Sequence, residues 1–254
     1  MKKKLSPIAC FTLALQFLTV FRIPVEAEVD ERVVSKSMAW FPVVGLLVGF
    51  LMAGVWGRLA SIFPSSFLSL LVVLLLAVVT RGLHLDGLSD TLDGLGGGYT
   101  REKRLEIMKD SHVGAFGVIG IVFAILLKWV AIWKLPEQAR VSVLMLFPVL
   151  SRFAMVLVAW RCPYARREGG LGQTYVDSLG GKTVLIATLC TALISIMLLS
   201  YWGVLLLIFT VLLSGAASVF FTWTLGGVTG DVLGAINEIC EILVLSLCLA
   251  LPLH

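Results

Sequence analysis

Residues 183–225 read TVLIATLCTALISIMLLSYWGVLLLIFTVLLSGAASVFFTWTL and contain no charged side chain. An α-helix needs about 20 consecutive, mostly apolar residues to cross the hydrocarbon core of a bilayer. The run is long enough for two crossings, which we predict over residues 183–201 and 203–225. This stretch therefore indicates a membrane protein.

The composition of the whole chain agrees with a membrane protein. Of its 254 residues, 59% are hydrophobic and 14% are charged, whereas soluble domains carry roughly 25% charged residues. We predict an all-α, polytopic transmembrane helical bundle that forms a single domain, 1–254. The net charge of +4 comes without a basic stripe interleaved with aromatic residues, so we expect no nucleic-acid partner. The five cysteines form no CxxC pair, and we interpret them as core residues.

Five further apolar runs are long enough to span, which gives about seven crossings in all: 38–60, 64–85, 112–133, 141–160 and 232–252. An earlier run, 8–21, is too short for a crossing and is interrupted by Gln16. It favours a re-entrant or interfacial segment.

The Lys and Arg residues orient this bundle, because loops rich in them stay cytoplasmic. Seven crossings place thirteen of them on the cytoplasmic side, Lys2–Lys4 and Arg167 included, and four on the far side: Arg58, Lys128, Lys134 and Arg140. The same topology puts three polar stretches on the cytoplasmic face: 86–111, 161–182 and 226–231.

The first polar stretch carries three aspartates at helical spacing. Asp86, Asp90 and Asp93 fall within roughly 60° of one helix face. Crowded carboxylates at a bilayer boundary favour a cation, and their oxygens suit Mg²⁺, Mn²⁺ or Ca²⁺. Gly87 and Gly94 follow two of these acids, and we expect them to leave the backbone bare for a phosphate-bearing ligand. A solvated acidic helix end is the alternative.

Other acidic residues follow. Asp110 is explained equally by helix capping or by metal binding. Asp231 ends the polar stretch 226–231, and the last predicted span then carries Glu238 and Glu241. These two glutamates should point into the bundle and need a proton, a cation or a basic partner. His84 is expected to be a packed, hydrogen-bonded side chain.

Cationic side chains are also available for anionic ligands. Arg152 lies within the span 141–160, and Arg166 lies in the polar loop that follows. Guanidinium groups bind phosphate oxygens in a forked geometry. Carboxylate-bound metal with arginines opposite indicates phosphoryl or phosphodiester transfer on a pyrophosphate-containing substrate at the membrane surface.

Seven stretches, in order along the chain, carry a resemblance to a known family: QFLT (16–19), RIP (22–24), FPVVG (41–45), LHLDGLSDTLDG (83–94), KDSHVGAFG (109–117), YARREGGLG (164–172) and GGVTGDVLGAINEICE (226–241). Together they resemble the cobalamin synthases, the adenosylcobinamide-GDP ribazoletransferases. They extend from the N-terminal region to the last predicted span, so the resemblance covers the whole chain.

The resemblance implies a Mg²⁺-dependent enzyme of the bacterial inner membrane, with its active site on the cytoplasmic side. It would join adenosylcobinamide-GDP to α-ribazole, or to α-ribazole 5'-phosphate, and release GMP. The implied metal ligands are Asp86, Asp90 and Asp93, with Asp110 or Asp231 as further candidates. Glu238 or Glu241 is the implied general base, and the implied phosphate-binding residues are Arg22, Arg152 and Arg166. Besides substrates and the lipid bilayer, a homo-oligomer or other cobalamin-assembly enzymes are candidate partners.

Two other interpretations stay open on the sequence alone. A CDP-alcohol phosphotransferase-like enzyme or an aspartate-rich prenyltransferase would use similar metal chemistry. A cation-coupled transporter would also explain acids within the membrane. Transport carboxylates are expected near mid-bilayer, whereas Asp86 to Asp93 follow the end of an apolar run.

Overall fold

The computed structural model describes residues 7–24, 31–166, 168–170 and 172–253 of the chain. Lys2–Lys4 and Arg167, which the sequence places on the cytoplasmic side, lie outside these ranges. The described residues form eleven helices and one 3-10 turn: α1 (Pro7–Leu18), α2 (Glu31–Ser37), the turn Met38–Trp40, α3 (Phe41–Leu59), α4 (Ser65–Val79), α5 (Leu83–Gly97), α6 (Arg101–Ile107), α7 (Ala115–Lys134), α8 (Glu137–Arg161), α9 (Gln173–Asp177), α10 (Gly181–Leu225) and α11 (Gly230–Ala250). The all-α prediction is confirmed.

Several of these helices have the length and apolar character of membrane spans. Within the described ranges, five helical segments qualify: Glu31–Leu59, α7, α8, α10 and α11. The pair α4 and α5 would add a sixth, although it is bent by 86°. The multi-pass prediction is thereby confirmed, while the number of seven crossings stays a prediction. With its 12 residues, α1 is shorter than a span, as the sequence indicated.

The uncharged run 183–225 forms two antiparallel arms. The backbone of α10 is non-helical at Leu199 and Ser200. Gly203 packs against the carbonyl of Ser195, a contact that a straight helix could not make over eight residues. The chain therefore reverses at this point, which divides α10 where the sequence predicted two separate spans.

Contacts between distant segments define the two ends of the bundle. At one end, which we call the loop end, the residues after α8 pair with those before α11 through the bridge Tyr164–Val228. Arg101 of α6 donates to the carbonyl of Ala165 over 3.1 Å, and Arg104 donates to that of Thr224 over 3.3 Å. At the opposite end, the guanidinium of Arg140 stacks on the ring of Trp56, 4.7 Å from its centroid.

The central element of the bundle is α8. In the apolar segment of α8, 83% of the residues are buried, whereas the share is 28% in that of α7 and 33% in that of α10. Apolar side chains that are exposed over most of a helix favour contact with lipid rather than water. We therefore place the lipid-facing surface on α7 and α10, around a core built on α8.

Close packing of α3 on α8 depends on two glycines. A Cβ at Gly49 would lie only 2.6 Å from the Cα of Met145, and one at Gly45 would collide with the carbonyl of Pro148. Small residues at such positions let helix backbones approach closely in a membrane. Further along α3, a Cβ at Gly54 would meet no atom within 4 Å.

The substitution Gly49→Ala is therefore expected to destabilise the fold by about 1–3 kcal/mol, since the added methyl must push α3 away from α8. Gly54→Ala is the matched control on the same helix and should leave stability unchanged or slightly raised. Thermal unfolding of the two variants in the same detergent measures the difference. Equal melting temperatures would contradict the assigned packing.

Candidate active site

The acidic helix α5 is turned away from the span that precedes it. The sequence predicted one span over 64–85, whereas α4 ends at Val79 and α5 follows after a bend of 86°. That the pair forms one span stays a prediction. Arg81 and Gly82 then adopt positive φ angles of 55° and 66°. Such a conformation is unfavourable for arginine, but Arg81 is held in place by donating to the carbonyl of Gln16 over 3.2 Å. The turn places α5 against α11.

The backbones of α5 and α11 touch where Gly87 meets Asp231. A Cβ at Gly87 would lie 2.6 Å from the carbonyl oxygen of Asp231 and 3.1 Å from the Cα of Gly234. The expectation that Gly87 leaves room for a phosphate is therefore wrong, since the backbone of α11 fills that space. Gly94 is covered as well, by the side chain of Met108. Both glycines permit helix packing rather than ligand approach.

This contact brings together the acids of two segments that are far apart in the sequence. Asp86 is exposed, while Asp90 and Asp231 are partly buried. The negative charges of Asp86, Asp231 and Asp93 repel that of Asp90, and the positive charge of Arg166 partly offsets this repulsion. We call Asp86, Asp90 and Asp231 the acidic mouth; it lies at the loop end of the bundle.

Arg166 faces the acidic mouth, as a phosphate-binding residue would need to. Its Nη2 donates to Asp231 Oδ2 over 2.6 Å and to the carbonyl of Met108 over 3.2 Å. Thr229 also donates to Asp231, over 3.2 Å. The arginine thus lies between α6, the loop after α8 and the start of α11, where it balances one of three negative charges.

Asp93, by contrast, is directed at the start of α7. Its two carboxylate oxygens accept the backbone N–H groups of Gly114, at 2.7 Å, and Gly117, at 2.9 Å. These groups have no partner within their own helix, and a carboxylate there also interacts favourably with the helix dipole. Asp93 therefore orients α7 on α5. Its predicted metal role stays a prediction.

Two more predicted residues lie on the exposed surface. Asp110 accepts the backbone N–H of His112 over 3.0 Å, and this bond lowers the pKa of Asp110 below its usual value. Beside it, Lys109 pairs with Glu168 and lowers the pKa of that glutamate. Within the described residues, the side-chain hydrogen bonds and the ion pair of Asp110 are all with His112 and none is with the acidic mouth. Arg22 is exposed after α1, next to residues 25–30, which lie outside the described ranges.

The two glutamates of α11 lie deeper, in a buried ion cluster with Lys128 and Arg152. Lys128 Nζ donates to Glu238 Oε2 over 2.7 Å and to Glu241 Oε2 over 2.9 Å. Arg152 pairs with Glu241 Oε1, which also accepts from Asn237 over 3.0 Å. The four charged side chains are at most 3% exposed. Two positive charges balance two negative ones, as burial in a low dielectric requires.

This cluster changes how three predicted residues and one missed residue are interpreted. Glu238 and Glu241 have the basic partners that the sequence said they need, and their role as general base stays a prediction. Arg152 has a carboxylate as its partner, and its phosphate role is equally untested. The sequence predicted Lys128 on the far side near a helix end, but the structure buries it within the bundle. A single lysine within an apolar helix was the available signal.

Comparison with known proteins identifies the family. The family model described as cobalamin-5-phosphate synthase matches residues 10–249. The chain belongs to this family. The chain is 42% identical over 238 residues to the adenosylcobinamide-GDP ribazoletransferase of Syntrophobacter fumaroxidans, covering 93% of this chain and 96% of that one. It is 38% identical over 241 residues to the protein of the same name from Geotalea daltonii, covering 95% and 97%.

The match confirms the predicted family and its enzymatic character. It extends through every stretch that carried the resemblance, from QFLT to the acids of α11. No solved structure matches the chain. The assignments of individual residues in this cobalamin-5-phosphate synthase family member therefore depend on the geometry described above.

The buried ion cluster predicts a specific stability defect. Lys128→Met leaves Glu238 without a cation, whereas Glu241 keeps Arg152, and we expect a loss of about 3–5 kcal/mol in unfolding free energy. Adding Glu238→Gln should restore part of the loss, because a neutral amide needs no counter-charge. Thermal unfolding in detergent measures both effects.

Lys134→Met is the matched control, because Lys134 is exposed at the end of the same helix. It should leave the melting temperature unchanged. If Lys128→Met were as stable as this control, the cluster would not have the structural role assigned to it.

Proposed function

We propose that this protein transfers the adenosylcobinamide phosphoryl group of adenosylcobinamide-GDP to α-ribazole, or to α-ribazole 5'-phosphate, and releases GMP. The relatives in its family are named for this activity. The observation that carries the proposal within the chain is the convergence of Asp86, Asp90 and Asp231 beside Arg166. This arrangement supplies the charges that a pyrophosphate substrate requires.

The acidic mouth suits a divalent cation by its chemistry. Its donors are carboxylate oxygens, which Mg²⁺ prefers, and Arg166 leaves two of its three negative charges unbalanced. The described residues contain no group of three potential ligands already gathered around one point. On the basis of these unbalanced carboxylates, we propose that Asp86, Asp90 and Asp231 come together around Mg²⁺ when substrate binds. Asp93 and Asp110 are further predicted ligands. Bound Mg²⁺ would neutralise the charge that develops on the phosphoryl oxygens.

The chain's own residues then bind the substrates and accept the proton that the reaction releases. The 3'-hydroxyl of the ribazole attacks the cobinamide-side phosphorus, a new P–O bond forms, and the P–O bond to GMP breaks. Arg166 binds the pyrophosphate oxygens, and Arg22 is available on the exposed segment after α1. The hydroxyl proton passes to a carboxylate of the mouth. We favour Asp86 or Asp90 over the predicted Glu238 and Glu241, because the glutamates are buried and ion-paired.

The buried charges also bear on the transporter alternative. A cation pathway through the bundle would need acids that can exchange their partner for a transported ion. Glu238 and Glu241 are instead paired with the fixed cations Lys128 and Arg152. This pairing supports an enzyme with a surface active site over a cation-coupled carrier.

Asp90→Asn should abolish GMP release from adenosylcobinamide-GDP and α-ribazole at any Mg²⁺ concentration, because the amide removes a negative charge at the centre of the mouth. Glu137→Gln, which changes an acid at the opposite end of the bundle, should keep normal turnover. Release of GMP by the purified full chain measures both. Near-normal turnover by Asp90→Asn, with the fold intact, would refute the role of Asp90.

The unaltered protein should lose activity in EDTA and regain it when Mg²⁺ is added back. GMP release at increasing Mg²⁺ concentrations measures this dependence. Full activity in EDTA would refute the proposed use of a divalent cation while leaving the transfer itself in place.

We further propose that the loop end faces the cytoplasm. In a cysteine-free background, Tyr99→Cys at the loop end should react with a membrane-impermeant maleimide in inverted vesicles but not in intact cells. Ile62→Cys, between α3 and α4 at the opposite end, should show the reverse pattern. Both native side chains are well exposed, at 97% and 67%. Labelling of Tyr99→Cys in intact cells would contradict this orientation.

A further inference from the structure

The acidic mouth lies next to a small cavity and a larger one. The small cavity has a volume of about 140 Å³ and includes Asp86, but its wall is mainly apolar and carries the rings of Phe17, Phe41 and Tyr175. His84 also lies in this wall, although its ring nitrogens are inaccessible and have no hydrogen-bond partner within the described residues. The expectation of a hydrogen-bonded histidine is therefore wrong. The small cavity has neither the volume nor the polar groups to hold a nucleoside.

The large cavity has a volume of about 380 Å³ and lies between α6 and the loop after α8. Pockets that bind small molecules typically measure about 300–1,000 Å³. Arg166 lines this cavity and also donates to Asp231 of the mouth over 2.6 Å, so the two sites are neighbours. The charged residues of the wall are Arg101, Glu102, Glu106, Lys109, Arg166 and Glu168.

One of the acids in this wall lacks a partner. Glu106 pairs with Lys103 over 2.9 Å, and Glu168 pairs with Lys109. Glu102 is exposed in the first turn of α6, and its carboxylate has neither a hydrogen bond nor an ion pair in the described part of the chain. A carboxylate only accepts hydrogen bonds, and its two oxygens can bind two donors side by side. Glu102 is thus available to a ligand that presents a pair of donors.

Guanine presents such a pair. Its N1–H and its 2-amino group lie next to each other on one edge of the base, so both can donate to a single carboxylate. Adenine instead presents an acceptor nitrogen beside its 6-amino group, and that acceptor would face a carboxylate oxygen with no proton between them. Hydrogen bonds to an ionised acceptor are also stronger than those between neutral groups. A free glutamate in a cavity of this size therefore favours guanine over adenine.

The length of α6 agrees with the length of a nucleotide. Arg166 donates to the carbonyl of Met108 over 3.2 Å, so it marks the end of the large cavity that adjoins the mouth. A helix rises about 1.5 Å per residue, which places Glu102 about 9 Å from Met108 along the axis. In an extended GMP, a similar distance separates the phosphate from the 2-amino edge of the base. A guanine at Glu102 would therefore have its phosphate beside Arg166 and Lys109.

We propose that the large cavity binds the guanosine of adenosylcobinamide-GDP, with the carboxylate of Glu102 accepting from the N1–H and the 2-amino group of guanine. This assignment rests on the proposed function. It places the phosphate of the GMP half beside Lys109 and Arg166, and the cobinamide-side phosphorus at the acidic mouth. Glu102 is a binding residue of the nucleotide and takes no part in the chemical step.

The first test compares nucleotides on the unaltered protein. GMP carries both donors, whereas IMP has a hydrogen in place of the 2-amino group. GMP should bind the purified full chain in detergent about tenfold more tightly than IMP, because IMP loses one hydrogen bond to a charged acceptor. AMP, which presents an acceptor to the carboxylate, should bind more weakly than IMP. Isothermal titration calorimetry in the presence of Mg²⁺ measures the three dissociation constants.

The variant Glu102→Ala then tests the residue. It should bind GMP and IMP with equal affinity, and its KM for adenosylcobinamide-GDP should rise about tenfold while its KM for α-ribazole stays the same. Glu137→Ala is the matched control, because Glu137 is also an exposed glutamate in the first turn of a helix, at the opposite end of the bundle. It should keep the tenfold preference for GMP and both KM values.

The outcomes separate the two proposals. Absence of GMP release by the unaltered protein with adenosylcobinamide-GDP and α-ribazole would overturn the proposed function. Normal GMP release together with equal affinities for GMP and IMP would overturn only the cavity assignment. A Glu102→Ala variant that keeps the preference for GMP, or that changes the KM of α-ribazole alone, would also overturn the cavity assignment.

Discussion

The contact between the backbones of α5 and α11 is the constraint on which the candidate site depends. Because Gly87 has no side chain, the carbonyl of Asp231 can lie against it. The acids of the two helices are then close enough to repel one another, and Arg166 balances part of that charge. A larger residue at position 87 would separate the helices and disperse the charges that favour a cation and a phosphate-bearing substrate.

The rest of the bundle holds these two helices in place. Asp93 binds the first turn of α7 to α5 through two backbone N–H groups. The buried ion cluster then joins α7, α8 and α11 at a deeper level, through Lys128, Arg152 and the two glutamates. Charged groups in this position are unfavourable unless each has a partner, so the cluster specifies how the three helices align. We regard the cluster as a structural support beneath the acidic mouth.

The site therefore has two regions with different physical properties. The acidic mouth is polar, partly exposed and suited to a cation and phosphate groups. The small cavity beside it is mainly apolar and is lined by the aromatic rings of Phe17, Phe41 and Tyr175.

The sequence by itself determined the membrane character, the all-helical class, the positions of most long helices and the family, and it indicated the acidic stretches as a candidate site. These properties follow from local composition and from motif order, which need no knowledge of distant contacts. The division of α10 near residue 200 was also predictable, because its uncharged run is about twice the length of one span.

Only the tertiary structure decided the break after Val79, the role of Gly87, the burial of Lys128 and the unpaired state of His84. Each of these depends on a neighbour distant in the sequence: Gln16 for the bend, Asp231 for the glycine, Glu238 for the lysine and the cavity wall for the histidine. Helical periodicity gives the face on which a side chain lies, but it does not give the atom that this face meets. A charged or polar residue within an apolar run therefore shows that a partner is needed, and only the packed bundle shows which one it is.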